Sequence, residues 1–296
     1  MGKELADQFR VCKQTFVEAD EALNEPFCDL IVNGPIETLT LTENAQPAIL
    51  TMSVAVWRLL DERGVKPAFV AGHSLGEYSA HVAAGTLSFK DAVRLVRNRG
   101  RYMQEAVPVG IGAMSAILGL SEAGVIEACE YAAQGEIVSP ANLNSPGQIV
   151  IAGHAGAVAR AAERARALGA KRAIPLQVSA PFHCALMKPA EERLAPELRA
   201  VPASDPSVPV VANVDAEPKR TAVASIDALI KQVSSPVRWE SVIQRLASEG
   251  VTRYVEVGPG KVLSGLVKKI TTGATIHNVE GPADLAAIED LLSPAR

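Results

Sequence analysis

The chain has 296 residues, 48% of them apolar and 21% charged, the make-up of an ordinary globular protein with room for one large domain or two smaller ones. Its net charge of −4 supplies no basic field for nucleic acid; no run of about 18 apolar residues suits a membrane span, and no basic-then-apolar leader marks it for secretion. The four cysteines (Cys12, Cys28, Cys129, Cys184) form no CxxC and the histidines show no ligand spacing, so we expect reduced thiols, a cytoplasmic setting and no metal.

Along the chain, apolar runs alternate with helical patterns, which points to an α/β fold. Ala45 to Leu60 reads as a helix with an early Pro47, Pro67 to Ala71 as a short buried strand, and a further helix starts at about Gly76. Ser88, with Asp91 three residues on, caps a helix running to about Val107. After Pro108 the pattern changes. Ala113 to Leu120 reads as a strand, and Ser121 caps a helix to about Ala133. Ile137 to Leu143 and Gln148 to Ala152 read as strands joined by the turn Asn144-Ser145-Pro146-Gly147. Ala155 to Leu168 is an alanine-rich helix and Lys171 to Gln177 a strand. That β-α-β-β-α-β order is the ferredoxin-like unit. We therefore expect residues 109–180 to form a small inserted domain. Residues 1–108 and 181–296 then make a larger, discontinuous α/β catalytic domain, with strands at Val208 to Val214 and Tyr254 to Val257.

The strand ending at Ala71 runs into Gly72-His73-Ser74-Leu75-Gly76. Glycines two before and two after a serine suit a sharp strand-to-helix turn that pushes the serine outward, a nucleophile elbow. A glycine turn with an idle serine fits the same five residues. A serine hydroxyl needs a nearby base to become a nucleophile. His73 is adjacent in sequence, but successive side chains of an extended segment point to opposite faces. His183, in Ser179-Ala180-Pro181-Phe182-His183 just after the small domain's last strand, is the better candidate. His81, His154 and His277 read as structural.

On a helical wheel of about 100° per residue, Ala92, Val96, Met103, Ala106 and Val107 form an apolar stripe with Arg99 in its middle. Arg94, Arg97 and Arg101 fall on the opposite face and read as solvated charges. A buried unpaired guanidinium is expensive. Arg99 therefore either pairs with an internal carboxylate or forks the carboxylate of a substrate, and both readings stay open. Glu256-Val257-Gly258-Pro259-Gly260-Lys261-Val262-Leu263 reads as strand end, turn and helix start; helix N-termini attract anions, but the longer phosphate-loop pattern is missing, so a structural turn is expected.

Five stretches together resemble the malonyl-CoA:acyl-carrier-protein transacylase family of bacterial fatty-acid synthesis: AGHSLGEYSA at 71–80, DAVRLVRNRG at 91–100, NSPGQIVIAGH at 144–154, PFHCALMKPA at 181–190 and YVEVGPGKVLSGL at 254–266. The resemblance covers nearly the whole chain. It implies an α/β-hydrolase-like large domain carrying the ferredoxin-like small one. It implies ping-pong transfer of a malonyl group from malonyl-CoA to the phosphopantetheine thiol of acyl carrier protein, through a malonyl-serine. No cofactor is then needed, and a monomer is expected. Residue by residue, the resemblance makes Ser74 the nucleophile, His183 its base, and the main-chain carbonyl of Gln232 the group that orients that histidine. Arg99 would grip the free malonyl carboxylate, and Leu75 would lend its N–H to the oxyanion hole. Phe182 and Leu75 are the side chains of malonyl-selective members, and Met103 is expected to line the substrate site.

The family opens with an apolar strand and a Gly-Gln-Gly-Ser-Gln segment, whose first glutamine gives a second oxyanion N–H. This chain starts Met1-Gly2-Lys3-Glu4-Leu5, like the stretch that follows that segment, and Gln8 has no flanking glycines. Either the sequence is a shortened version of such a chain or the site differs, and losing one such donor costs on the order of 10²–10³ in rate. An acidic carrier protein would dock on basic residues, with Lys268 and Lys269, or Arg94, Arg97 and Arg101, as candidates.

Two other classes of function compete. A serine esterase of the ordinary α/β-hydrolase kind needs an acidic residue between nucleophile and histidine in chain order; the one aspartate there is Asp91, at a helix start. A non-catalytic carrier-protein docking module would bind carrier protein without trapping a malonyl group on Ser74. An acyltransferase of a polyketide pathway would share the chemistry of the family.

Overall fold

The computed structural model describes residues 1–289; residues 290–296 of the expected 181–296 segment lie outside the described residues. The chain opens with helices: α1 (Lys3–Gln8), α2 (Arg10–Leu23), α3 (Phe27–Asn33), α4 (Ile36–Leu39) and the long α5 (Thr42–Glu62). Leu50, Val54, Leu59 and Leu60 of α5 enter the main core, while Asn44 and Gln46 are polar yet buried near its start. Then come β1 (Val70–Ala71), α6 (Leu75–Ala83) and α7 (Phe89–Glu105). Ser88 caps α7, its Oγ accepting the Asp91 N–H at 3.1 Å, as the sequence predicts. A Cβ on Gly100 would come within 2.5 Å of the Thr42 carbonyl oxygen. Glycine there lets α7 lie directly on the first turn of α5, which sets Arg99 beside Gln46.

Next in order are β2 (Gly112–Leu118), α8 (Glu122–Ala133), β3 (Val138–Ser145), β4 (Gln148–His154), α9 (Ala155–Ala167) and β5 (Arg172–Pro175). The four strands form one antiparallel sheet in the order β3-β4-β2-β5. Helices α8 and α9 pack on it around Ile117, Val125, Ile149, Ile151 and Val158. The β-α-β-β-α-β order is as predicted. The hairpin turn is tighter than expected, because Ser145 already pairs with Gln148 and leaves only Pro146 and Gly147 between the strands.

A 3₁₀ turn (Ala185–Met187) leads into α10 (Lys188–Ala200), β6 (Val210–Val211), β7 (Pro218–Lys219), α11 (Ala222–Gln232) and α12 (Trp239–Ser248). The rest is β8 (Arg253–Val257), α13 (Val262–Ile270), β9 (Thr275–Val279) and a 3₁₀ stretch (Pro282–Ile288). β1 pairs parallel with β6, β6 antiparallel with β7, and β8 parallel with β9. β1 and β6 are far shorter than the runs 67–71 and 208–214 suggest. Val70 donates to the Pro209 carbonyl at 3.1 Å, but Pro209 has no N–H with which to extend the ladder. At the other end Gly72 leaves the sheet for the elbow.

The four-stranded sheet is stitched to the remainder by a short parallel bridge. Leu143 donates to the Val237 carbonyl and Val237 to the Ala141 carbonyl, both at 2.9 Å. The bridge holds the segment after α11 in place, and with it Gln232 at that helix's last turn. No helix among the described residues is long and apolar enough to cross a membrane.

Candidate active site

Ser74 sits at the N-terminus of α6 with φ 51° and ψ −108°, a backbone conformation that costs a non-glycine residue about 1–3 kcal/mol and persists only where its surroundings impose it. Asn213, just past β6, imposes it. Its Oδ1 accepts the Ser74 N–H at 2.7 Å and its Nδ2 donates to the Gly72 carbonyl at 2.8 Å. A Cβ on Gly72 would lie 1.9 Å from the Gly76 carbonyl carbon, so that position admits only glycine; a Cβ on Gly76 would meet nothing within 4 Å. Of the two glycines bracketing the serine, sterics demand the first alone. His73 bonds through Nε2 to Asn144 Oδ1 at 2.8 Å and lies edge-on to Trp239, turned away from the serine as its sequence position predicts.

His183 meets Ser74 instead: Oγ to Nε2 is 2.7 Å. The other ring nitrogen, Nδ1, lies 3.0 Å from the Gln232 main-chain carbonyl. A carbonyl can only accept, so Nδ1 carries the proton and Nε2 is left bare to accept from the serine O–H. Burial, then the nearby positive Arg99, push the imidazole down to about 3, which keeps it neutral near pH 7. Asp91 is hydrogen-bonded to Ser88 at the start of α7, so the position an acidic triad member would take is held by a carbonyl.

Arg99 is 2% exposed. Nη1 donates to Gln46 Oε1 at 2.6 Å, and Nη2 donates to Gln232 Oε1 at 2.9 Å and to Ser74 Oγ at 3.1 Å. Nε is buried with no acceptor. Each of these acceptors is a neutral oxygen, so of the two open sequence readings the internal ion pair is not the one formed. A guanidinium stays charged even when buried; both Nη2 hydrogens are used, one of them on the serine, while Nε and one Nη1 hydrogen are spare. The Tyr78 ring lies 5.5 Å from its carbon. Met103 backs this arrangement, with its sulfur 4.0 Å from Gln46 Nε2, and Thr42 Oγ1 accepts from the same amide at 3.0 Å. Arg94 and Arg101 are exposed as predicted. Arg97 corrects the prediction: it is half-buried, pairs with Glu25 and Asn44, and stacks over Phe27 at 4.8 Å, because α7 packs that side against the chain's opening helices.

Leu75, 8% exposed, is the first residue of α6, so its N–H has no intrahelical acceptor. Phe182 is half-buried where the main core meets the patch formed by Met114, Val150 and Cys184. Gln8 lies exposed at the end of α1. The Glu256 carboxylate accepts the N–H groups of Leu263 and Ser264 at 3.0 and 2.7 Å; the anion at the start of α13 is the chain's own, and this turn is structural. His154 accepts the Ile137 N–H at 2.9 Å, and His81 is fully buried, its imidazole pushed down to about 3 by desolvation. The cysteines are free thiols.

Sequence reasoning missed three residues of the cluster. Gln46 holds Arg99, Asn213 holds the elbow, and Glu77 accepts from both Asn213 N–H (3.0 Å) and Gln232 Nε2 (2.8 Å). A signal existed for each: a polar side chain interrupting an otherwise apolar or buried run.

The profile of the acyl transferase domain family matches residues 1–280. A malonyl CoA-acyl carrier protein transacylase of Salmonella typhimurium is 52% identical over 285 residues, 96% of this chain and 92% of the relative. One of Bacillus subtilis is 54% identical over 271 residues, 91% of this chain and 86% of the relative. Among solved structures, an acyl carrier protein S-malonyltransferase from Vibrio cholerae superposes with a TM-score of 0.95 at 49% identity, covering 97% of this chain and 94% of that one. A malonyl-transacylase solved in complex with its type II polyketide acyl-carrier protein superposes at 0.95 with 48% identity, over 98% and 94%.

Proposed function

This chain belongs to the acyl transferase family, and from that premise we propose that it moves a malonyl group from malonyl-CoA to the phosphopantetheine thiol of an acyl carrier protein, supplying fatty-acid synthesis. The single observation that carries the reading is a buried guanidinium, hydrogen-bonded to no carboxylate among the described residues, donating to the hydroxyl that His183 is placed to activate. In this reading residues 109–180 are the ferredoxin-like insertion and the flanking segments the α/β-hydrolase-like catalytic part.

His183 Nε2 takes the Ser74 proton as Oγ attacks the thioester carbonyl. The oxyanion accepts from the Leu75 N–H. The C–S bond breaks, CoA leaves with the proton returned by His183, and the malonyl ester stays on Oγ. The carrier thiol then gives its proton to His183 and attacks that ester; the C–O bond breaks and Ser74 is reprotonated. The Gln232 carbonyl steadies the transient imidazolium and keeps the ring in the working tautomer. Arg99 holds the distal carboxylate through both half-reactions. Serine itself carries the acyl group, so the chemistry asks for no prosthetic group.

Intact-mass measurement after incubation with malonyl-CoA tests this. One malonyl adduct is expected on the wild-type chain and none on Ser74→Ala; an unmodified wild-type protein overturns the reading.

A further inference from the structure

Glu77 is fully buried in the first turn of α6, and nothing in the acyl transfer above employs it. Its Oε2 accepts twice, from the Asn213 N–H at 3.0 Å and from Gln232 Nε2 at 2.8 Å, while its Oε1 has no partner. A single amide separates it from the substrate-binding cation: Arg99 Nη2 donates to Gln232 Oε1, and Gln232 Nε2 donates to Glu77. Because both bonds fall on one oxygen, a proton placed on Oε1 breaks neither. The ionised and protonated carboxyl therefore fit the same surroundings.

The charged and titratable groups acting on Glu77 come from several elements. Arg99 reaches it from α7, and Asp215 from the turn between β6 and β7, where it pairs with Lys219. Tyr78 is its neighbour on α6, and His183 faces Arg99 from the loop before the 3₁₀ turn. Burial dominates and lifts the carboxyl to about 7; the Gln232 and Asn213 bonds and Arg99 pull it down, and Asp215 adds a smaller upward push.

With its proton off, Glu77 and Arg99 balance. A second anion docked on the guanidinium leaves two negative charges against one positive charge in a desolvated site, an arrangement relieved most cheaply by protonating one carboxylate. Resting on the reading that a malonyl carboxylate docks on Arg99, we propose that Glu77 balances the charge of the site, taking a proton from solvent on Oε1 when that carboxylate binds and releasing it when the malonyl group leaves. Glu77 touches no substrate atom and acts through Gln232 and Arg99.

Calorimetric titration of Ser74→Ala with malonyl-CoA, in two buffers of different ionisation enthalpy, counts the protons taken up. CoA has the same phosphates without the carboxylate and gives the baseline. The expected uptake above that baseline approaches about one proton per site near pH 7.5 and falls toward zero near pH 5.5, where Glu77 is already protonated. It disappears in the Ser74→Ala/Glu77→Gln double variant, whose amide oxygen can still accept from Asn213 and Gln232. Heat independent of buffer, or equal uptake with Gln at 77, overturns the proposal. Should the double variant not fold, the pH series decides alone, and uptake that does not fall on acidification overturns it. Absence of malonyl-CoA binding would instead overturn the functional reading beneath it.

Discussion

Arg99 Nη2 donates to Ser74 Oγ at 3.1 Å, the same oxygen that lies 2.7 Å from His183 Nε2. In the proposed reaction, charge recognition and nucleophile activation would thus meet at one atom. A malonyl group attached there would carry its distal carboxylate on a short arm beside the guanidinium. Gln46 and Gln232 hold the guanidinium with neutral oxygens, which fix its plane, and the Glu77 carboxylate stands one amide away without touching it. A neutral acyl group would give the guanidinium no direct anionic partner, whereas in the proposed reaction a malonyl carboxylate would.

Arg99→Ala should therefore change selectivity more than it changes chemistry. Leaving one member of a buried charge pair unmatched is worth about 2–5 kcal/mol, roughly 30- to several-thousand-fold. Acylation of Ser74 by malonyl-CoA should fall by a factor in that range, and acylation by acetyl-CoA much less. Rapid-quench rates with both thioesters measure the ratio. A malonyl-to-acetyl preference equal to that of the wild type would remove Arg99 from this role.

The two glycines around Ser74 should separate in the same way. Gly72→Ala drives a Cβ into the Gly76 backbone at 1.9 Å, and backbone cannot swing aside as a side chain can. Overpacking of this kind costs about 1–3 kcal/mol, and the shift it forces passes to Ser74. Gly76→Ala adds a methyl in open space on a helix, which favours the fold by about 0.5–1 kcal/mol. Urea midpoints should drop for the first variant and hold or rise for the second. Equal losses would mean that the turn is governed by something other than the Gly72 contact.

How far the sequence led depended on whether a signal was local. Caps at Ser88 and Ser121, the β-α-β-β-α-β order and the inward Arg99 are legible because each is set by neighbours within a few residues. The placement of His183, some hundred residues from Ser74, came from its position after the last strand of the small sheet and from family resemblance. What escaped is what the tertiary fold assembles. Asn213 reads as one polar residue in the strand run Val208 to Val214, and only the parallel pairing of β1 with β6 brings it under the elbow. Arg97 looks solvated on a wheel because the wheel cannot know that Glu25 and Phe27 cover that face. The shortness of β1 follows from a proline on the partner strand, not from β1 itself.

The pH behaviour should carry the mark of a buried base. An unperturbed histidine protonates near 6.5, but His183 is pushed down to about 3 by burial and by Arg99. The free site thus keeps its base unprotonated far below neutrality, and the acylation rate at saturating malonyl-CoA should hold from about pH 7.5 down to about pH 5 with no acid limb near 6.5. Stability follows the same proton. The unfolded chain binds it near 6.5 and the folded site refuses it until about 3, so the His183 contribution is undiminished above 6.5 and declines as pH falls through that window, while Glu77, lifted from 4.5 to about 7, works the other way and costs stability as pH rises between those values. His81, equally buried and pushed down to about 3, adds to the decline. Acylation rates and urea midpoints collected on the same buffers separate the two effects. A rate that halves near pH 6.5 while the protein remains folded would show that His183 titrates as an exposed imidazole, contrary to its buried position between Ser74 and the Gln232 carbonyl.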